Sequence, residues 1–146
     1  MELYELTVHE LMDKLANKET TITDITKSYV DRINDKEKDV EAFVTLTTDV
    51  AQEKAKAVQE KVEKGVAKSK YAGIPIGIKD NICTKGVKTT CASRLLENFV
   101  APYDATVIDK INNEDMIMLG KLNMDEFAMG ASTEYSYFKK TKIHGI

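Results

Sequence analysis

The feature that most constrains the fold is a pair of short apolar runs separated by one helical pattern: Ile74 to Ile78, Thr106 to Asn113, then Met116-Ile117-Met118-Leu119. Such runs, rich in branched side chains and bounded by glycine or polar turns, read as strands buried on both faces. A strand, a crossover helix and a second strand imply parallel pairing. The fold class expected is therefore α/β. Two or three strands cannot by themselves complete such a sheet, so the sheet expected here is an unfinished one. No internal repeat and no low-complexity segment accounts for the rest of the chain.

Ahead of that pattern the chain has a different character. Thr7-Val8-His9-Glu10 has the spacing of a capping box, in which hydroxyl and carboxylate satisfy free amides at a helix start. Val8, Leu11, Met12 and Leu15 then make one stripe. A second helix is expected from Thr21–Thr23, carrying Ile22, Ile25, Tyr29 and Ile33 and ending at the polar run from Asn34 to Asp39. Ala42 to Thr47 reads as a short strand. A third helix, capped by Thr48 or Asp49, runs to Gly65 with a thin stripe of Ala51, Ala55, Val58 and Val62. A stripe that thin suits close packing against a larger body. Charge density drops at Tyr71, which places a boundary near residue 70: an N-terminal helical segment over 1–70, then an α/β segment over 71–146.

The 146 residues carry a net charge of −3, and the first seventy, with 12 basic and 15 acidic side chains, account for all of it. No basic surface announces nucleic acid, so a role facing RNA needs charge from a partner. The chain has no apolar run near the length of a membrane span and no signal-peptide pattern at Met1-Glu2-Leu3-Tyr4, which makes the cytoplasm the expected location. Cys83 and Cys91 have no nearby histidine and read as two ordinary thiols rather than a metal or redox pair. His9 falls in a helix and His144 in the tail, so no Cys-His pair is indicated.

The chemistry-bearing stretch is Gly73-Ile74-Pro75-Ile76-Gly77-Ile78-Lys79-Asp80-Asn81. A lysine with its stem packed against Ile76 and Ile78 would lose hydration, which disfavours the ammonium and makes a base. The alternative is a Lys-Asp turn closing a strand. Ser93, Ser132 and Ser136 lie in no glycine elbow and are expected in turn or cap roles. Asp125 and Glu126 are expected at a helix N-terminus, favoured by the macrodipole, and not as a paired acid and base.

Three phrases in order, Gly73 to Asn81, Thr89-Thr90-Cys91-Ala92-Ser93, and Gly120 to Gly130 with Ser132-Thr133-Glu134, resemble the amidase signature family. Within it, Lys121 to Gly130 followed by Tyr137-Phe138-Lys139-Lys140-Thr141 is similar to the glutamine-dependent tRNA amidotransferases. The resemblance implies an amidase-type mixed sheet covered by helices, here incomplete. It also implies a Ser, cis-Ser, Lys triad with Lys79 as the catalytic lysine, passing a proton through a bridging serine. Met129, Gly130 and Ser132 match the segment lining the amide pocket, and Ser132 has a turn role as its alternative. The substrate implied is glutamine, whose ammonia converts misacylated Glu-tRNA(Gln) to Gln-tRNA(Gln). Partner subunits B and C are implied as a heterotrimer; ATP, magnesium and most of the tRNA binding belong to the partner, with no cofactor and no metal in this subunit.

The family's two serines lie in a Pro-Gly-Gly-Ser-Ser-Gly-Gly-Ser loop. Here Thr141 is followed by Lys142-Ile143-His144-Gly145-Ile146, and no Gly-Gly-Ser-Ser occurs in the 146 residues. The chain is thus expected to be the N-terminal fragment of such an enzyme, inactive alone, because triad members act as a unit. The alternatives are a non-catalytic helical interaction module and a fragment of a general amidase of small carboxamides. A Schiff base at Lys79 has only the apolar setting in its favour.

Overall fold

Thr7 begins the first helix as its spacing requires: its side chain accepts from the Glu10 amide at 3.3 Å while the Glu10 carboxylate accepts from the Thr7 amide at 2.7 Å. A computed structural model describes residues 1–67 and 69–142; His144 and the rest of the Ile143–Ile146 ending lie outside the described residues. The elements in order are α1 (Val8–Ala16), α2 (Ile22–Val40), β1 (Phe43–Leu46), α3 (Thr48–Glu63), β2 (Pro75–Lys79), α4 (Thr106–Asn113) and β3 (Ile117–Leu122), with 3-10 turns at Leu3–Glu5, Arg94–Leu96 and Glu126–Ala128.

The strands form one sheet in the order β1-β3-β2. β1 pairs antiparallel with β3, Thr45 opposite Lys121 and Leu46 opposite Gly120. β2 runs parallel to β3, since the Ile117 amide bonds Ile74 O at 2.9 Å and the Asp80 amide bonds Leu122 O at 3.1 Å, stepping forward along both strands. The sheet is therefore mixed, and its β2-α4-β3 part is the crossover read from the sequence.

Two compact units are each drawn from three segments. In the first, residues 1–35, 47–76 and 111–119, Leu11, Ile25 and Ile74 form a buried cluster joined by Leu15, Tyr29 and Met116. Full burial stabilises side chains of this size by about 1.5–3 kcal/mol each. Ala51, Ala55 and Val58 are buried along α3, whereas Val62 is 44% exposed and drops out of the expected stripe. Gly73 takes a φ of +84°, and a Cβ there would collide with the Ile22 side chain. Thr47, not Thr48 or Asp49, occupies the cap position of α3, and its hydroxyl bonds Met118 O at 3.2 Å instead of capping.

The second unit comprises residues 36–46, 77–110 and those from Gly120 onward. α2 runs through the polar stretch to Val40 rather than ending at Asn34. The continuation has an anchor: the Glu37 carboxylate accepts from the Phe43 amide at 2.8 Å and the Ala42 amide at 3.1 Å, with Lys139 Nζ at 3.6 Å. A polar run is helix-compatible when its side chains bind the chain that follows it.

Candidate active site

Strand alternation decides what faces what at the end of β2. Side chains on a strand point to opposite faces in turn, so Lys79 faces away from Ile76 and Ile78 while Asp80 shares their side. Lys79 is accordingly exposed and Asp80 fully buried. Lys79 is therefore not enclosed beside Ile76 and Ile78 as expected; the parity of the strand buries its neighbour Asp80 instead. The same alternation on β3 sets Ile117, Leu119 and Lys121 on one face, and all three are buried, Lys121 at 0% exposure.

Asp80 and Lys121 form the centre of a polar cluster. One oxygen of Asp80, Oδ2, accepts from the Thr90 hydroxyl, from the Thr90 amide at 3.2 Å and from the Ala92 amide at 3.4 Å. Lys121 Nζ donates to Ile82 O at 2.7 Å and Thr89 Oγ1 at 2.9 Å, and lies 4.0 Å from Asp80 Oδ1. That Oδ1 has no hydrogen-bond partner among the described residues, so the ammonium is what compensates it. Burial lowers the Lys121 pKa, and the Asp80 carboxylate opposes the shift.

The turn carrying Thr89 to Ser93 is strained and tied down. Cys91 and Ala92 both have a φ of 51°, a left-handed conformation that costs roughly 1–3 kcal/mol per non-glycine residue and persists only where surroundings fix it. Asp80 O accepts the Cys91 amide at 3.0 Å, Cys91 O accepts the Phe127 amide at 3.0 Å, and Ala92 O accepts the Tyr137 amide at 2.9 Å. Ser93 caps the following 3-10 turn through the Leu95 amide at 3.3 Å and donates to Glu126 Oε1 at 2.5 Å, the cap role expected of it. Cys83 and Cys91 are both free thiols; burial, then the charge of Asp80, pushes the Cys91 pKa up.

Asp125 and Glu126 do not begin a helix with a macrodipole. Only a three-residue 3-10 turn follows, with Phe127 at a φ of 51° and Ala128 at 61°. Asp125 instead gathers its own loop: Oδ1 accepts the Tyr135 amide at 2.9 Å, Oδ2 the Ser132 amide at 2.6 Å, and the Ser132 hydroxyl lies 3.4 Å from both oxygens. The Tyr135 amide is the main cause of a lowered Asp125 pKa, with the Ser132 donors and the charge of Lys79 adding to it. Gly130 packs on this carboxylate so closely that a Cβ would overlap Oδ2.

Of the residues nominated from the sequence, Lys79 is exposed within reach of the field of Asp125, Met129 is 76% exposed, Gly130 sits against the Asp125 carboxylate and Ser132 is bonded to it. The hydroxyls of Ser93 and Ser132 are committed to Glu126 and Asp125. The Ser136 hydroxyl is buried with no partner among the described residues, and its amide bonds Thr133 O in a turn. Asp80, Lys121 and Thr90 are not assigned a role by the sequence, and Asp125 is assigned a different one, although period-two burial along β3 is a signal that points to Lys121. No three His, Cys, Asp or Glu side chains among the described residues come together as a metal cluster, and no helix among them is long and apolar enough to cross a membrane.

Comparison with known proteins identifies the family of the chain. The chain is 51% identical over 142 residues to the A subunit of glutamyl-tRNA(Gln) amidotransferase from Caldanaerobacter subterraneus subsp. tengcongensis, covering 97% of this chain and 29% of that protein. The solved A subunit of the glutamyl-tRNA(Gln) amidotransferase of Thermotoga maritima superposes with a TM-score of 0.73 at 34% identity, over 97% of this chain and 28% of that one. The peptide amidase of Stenotrophomonas maltophilia superposes with a TM-score of 0.79 at 26% identity, over 89% of this chain and 27% of that one. The chain thus spans under a third of the length of the relatives it matches. The model of the Amidase family matches residues 24–143, and the chain belongs to that family.

Proposed function

We propose that this chain is the first part of the A subunit of a bacterial glutamyl-tRNA(Gln) amidotransferase, the component that hydrolyses glutamine and supplies ammonia for converting Glu-tRNA(Gln) to Gln-tRNA(Gln). The observation that carries the reading is 51% identity across 97% of the chain to a protein of that name. Lys79 is the catalytic lysine: it takes the proton of a nucleophilic serine through a bridging serine, then returns it to the departing nitrogen. Both serines come from sequence outside these 146 residues. Met129, Gly130 and Ser132 line the amide pocket, where the Asp125 carboxylate bonds Ser132 and abuts Gly130. Because Lys79 is exposed within these 146 residues, the dehydration that makes it a base has to come from the rest of the site.

Subunits B and C are the partners, the protein is cytoplasmic, and this subunit takes no cofactor; ATP and magnesium serve the partner that activates the tRNA-linked carboxylate.

The test replaces the matching 142 residues of the full-length Caldanaerobacter subterraneus protein with those of this chain. Glutamine-dependent ammonia release is expected from the hybrid, with a loss of roughly 1,000-fold or more on Lys79→Ala. Ammonia release that survives Lys79→Ala overturns the role of the lysine. A hybrid that hydrolyses small carboxamides in preference to glutamine would instead favour a general amidase.

A further inference from the structure

The buried Asp80-Lys121 pair is a feature that neither packing nor the proton-transfer scheme requires. Apolar residues of similar volume fill such a space at less cost than two desolvated charges, so a buried pair is weak support for stability and a device for fixing one geometry. Here the geometry it fixes is next to the site. Asp80 follows Lys79 directly, and its backbone is pinned from both sides, donating to Leu122 O at 3.1 Å and accepting from the Cys91 amide at 3.0 Å. Its carboxylate holds Thr90 and Ala92, the second of two consecutive left-handed residues. Lys121 closes the cluster from β3 through Ile82 O and Thr89 Oγ1, the carbonyl two residues past Asp80 and the hydroxyl that opens the strained turn.

We infer that Asp80 and Lys121 are positioning residues which act as one unit, locking the end of β2 and the Thr89–Ser93 turn so that Lys79 projects in a single direction toward the reacting amide. The inference rests on the catalytic role proposed for Lys79. The pair touches neither substrate nor the transferred proton. It acts because alignment of a proton-transfer group tolerates little displacement: a shift of about 1 Å costs on the order of 100-fold in rate.

The test uses the full-length hybrid protein, with active sites counted so that kcat refers to folded enzyme. Lys121→Met and Asp80→Asn are each expected to lower kcat by roughly 100-fold with KM within about twofold. The double variant is expected to lose no more than the worse single one, as members of one unit do. A pair that only supports the fold would reduce the melting temperature and the yield while leaving kcat per active site unchanged, and that result overturns the inference. Should the Lys121 variant fail to fold, Thr89→Val removes one acceptor of Nζ at constant shape; a several-fold fall in kcat supports the inference and an unchanged kcat overturns it. Lys79→Ala in the same protein separates the two claims. Activity that survives it sinks the reading of the site, whereas its loss beside an unimpaired Lys121→Met sinks the positioning role alone.

Discussion

Asp125 is a carboxylate surrounded by donors of its own loop, and that makes the loop sensitive to acid. Two amides and a hydroxyl favour its charged form, so its folded pKa lies below the ordinary aspartate value of about 3.9. Between the two values the unfolded chain binds more protons than the folded one, and stability falls as pH drops through that interval. Above the ordinary value the full contribution is present. The measurement is denaturant unfolding of the wild type and of Asp125→Asn at neutral and at strongly acidic pH. The wild type is expected to be the more stable at neutral pH, with the difference shrinking toward acid; a difference independent of pH would assign the loss to shape instead of charge. At the same scale lies the choice between the two readings of Lys79, of which the structure has the Lys-Asp turn closing β2. The motif around it was legible in the sequence, but its burial was inferred from adjacency to Ile78, and on a strand adjacent residues face opposite ways.

Elements whose causes are local were legible, and those whose causes are distant were not. The capping box at Thr7 and the helix from Thr106 to Asn113 depend on residues within one or two turns, and both occur as expected. The end of α2 depends on Glu37 meeting amides five and six residues away and on the far-downstream Lys139, which no periodicity encodes. The Glu126 turn was misread for the same reason, since the donors that claim Asp125 come from Ser132 and Tyr135. Glu37 therefore offers a test of element coupling. Glu37→Ala strips a carboxylate from two part-buried amides, and leaving such donors without a partner costs about 1–3 kcal/mol each when water cannot replace it. Because both amides are only part-buried and water replaces some of the lost bonding, a total loss of roughly 1–3 kcal/mol in unfolding free energy is expected, together with faster hydrogen exchange at Ala42 and Phe43. Unchanged exchange at both amides would mean that other acceptors hold the α2-β1 connection.

At the scale of the whole molecule, the mixed sheet has three strands among the described residues and therefore two of them at its edges, β1 and β2. An edge strand presents unpaired amides and carbonyls to any other chain, and short sheets of this kind gain most by adding a strand. Apolar side chains add to this. Leu95 is 84% exposed, Met129 76%, Tyr135 69% and Tyr103 59%, all within the second compact unit. Surface apolar residues scattered singly are ordinary, but four this open in one unit favour association. The net charge of −3 over 146 residues offers little repulsion against it. The purified chain is accordingly expected to self-associate as its concentration rises through the micromolar range, read by sedimentation velocity. Leu95→Glu together with Met129→Glu should weaken that association if apolar contact drives it, and leave it unchanged if strand edges do. A chain that stays monomeric throughout would mean that the edges are already protected, for example by the exposed charge of Lys79 at the end of the edge strand β2.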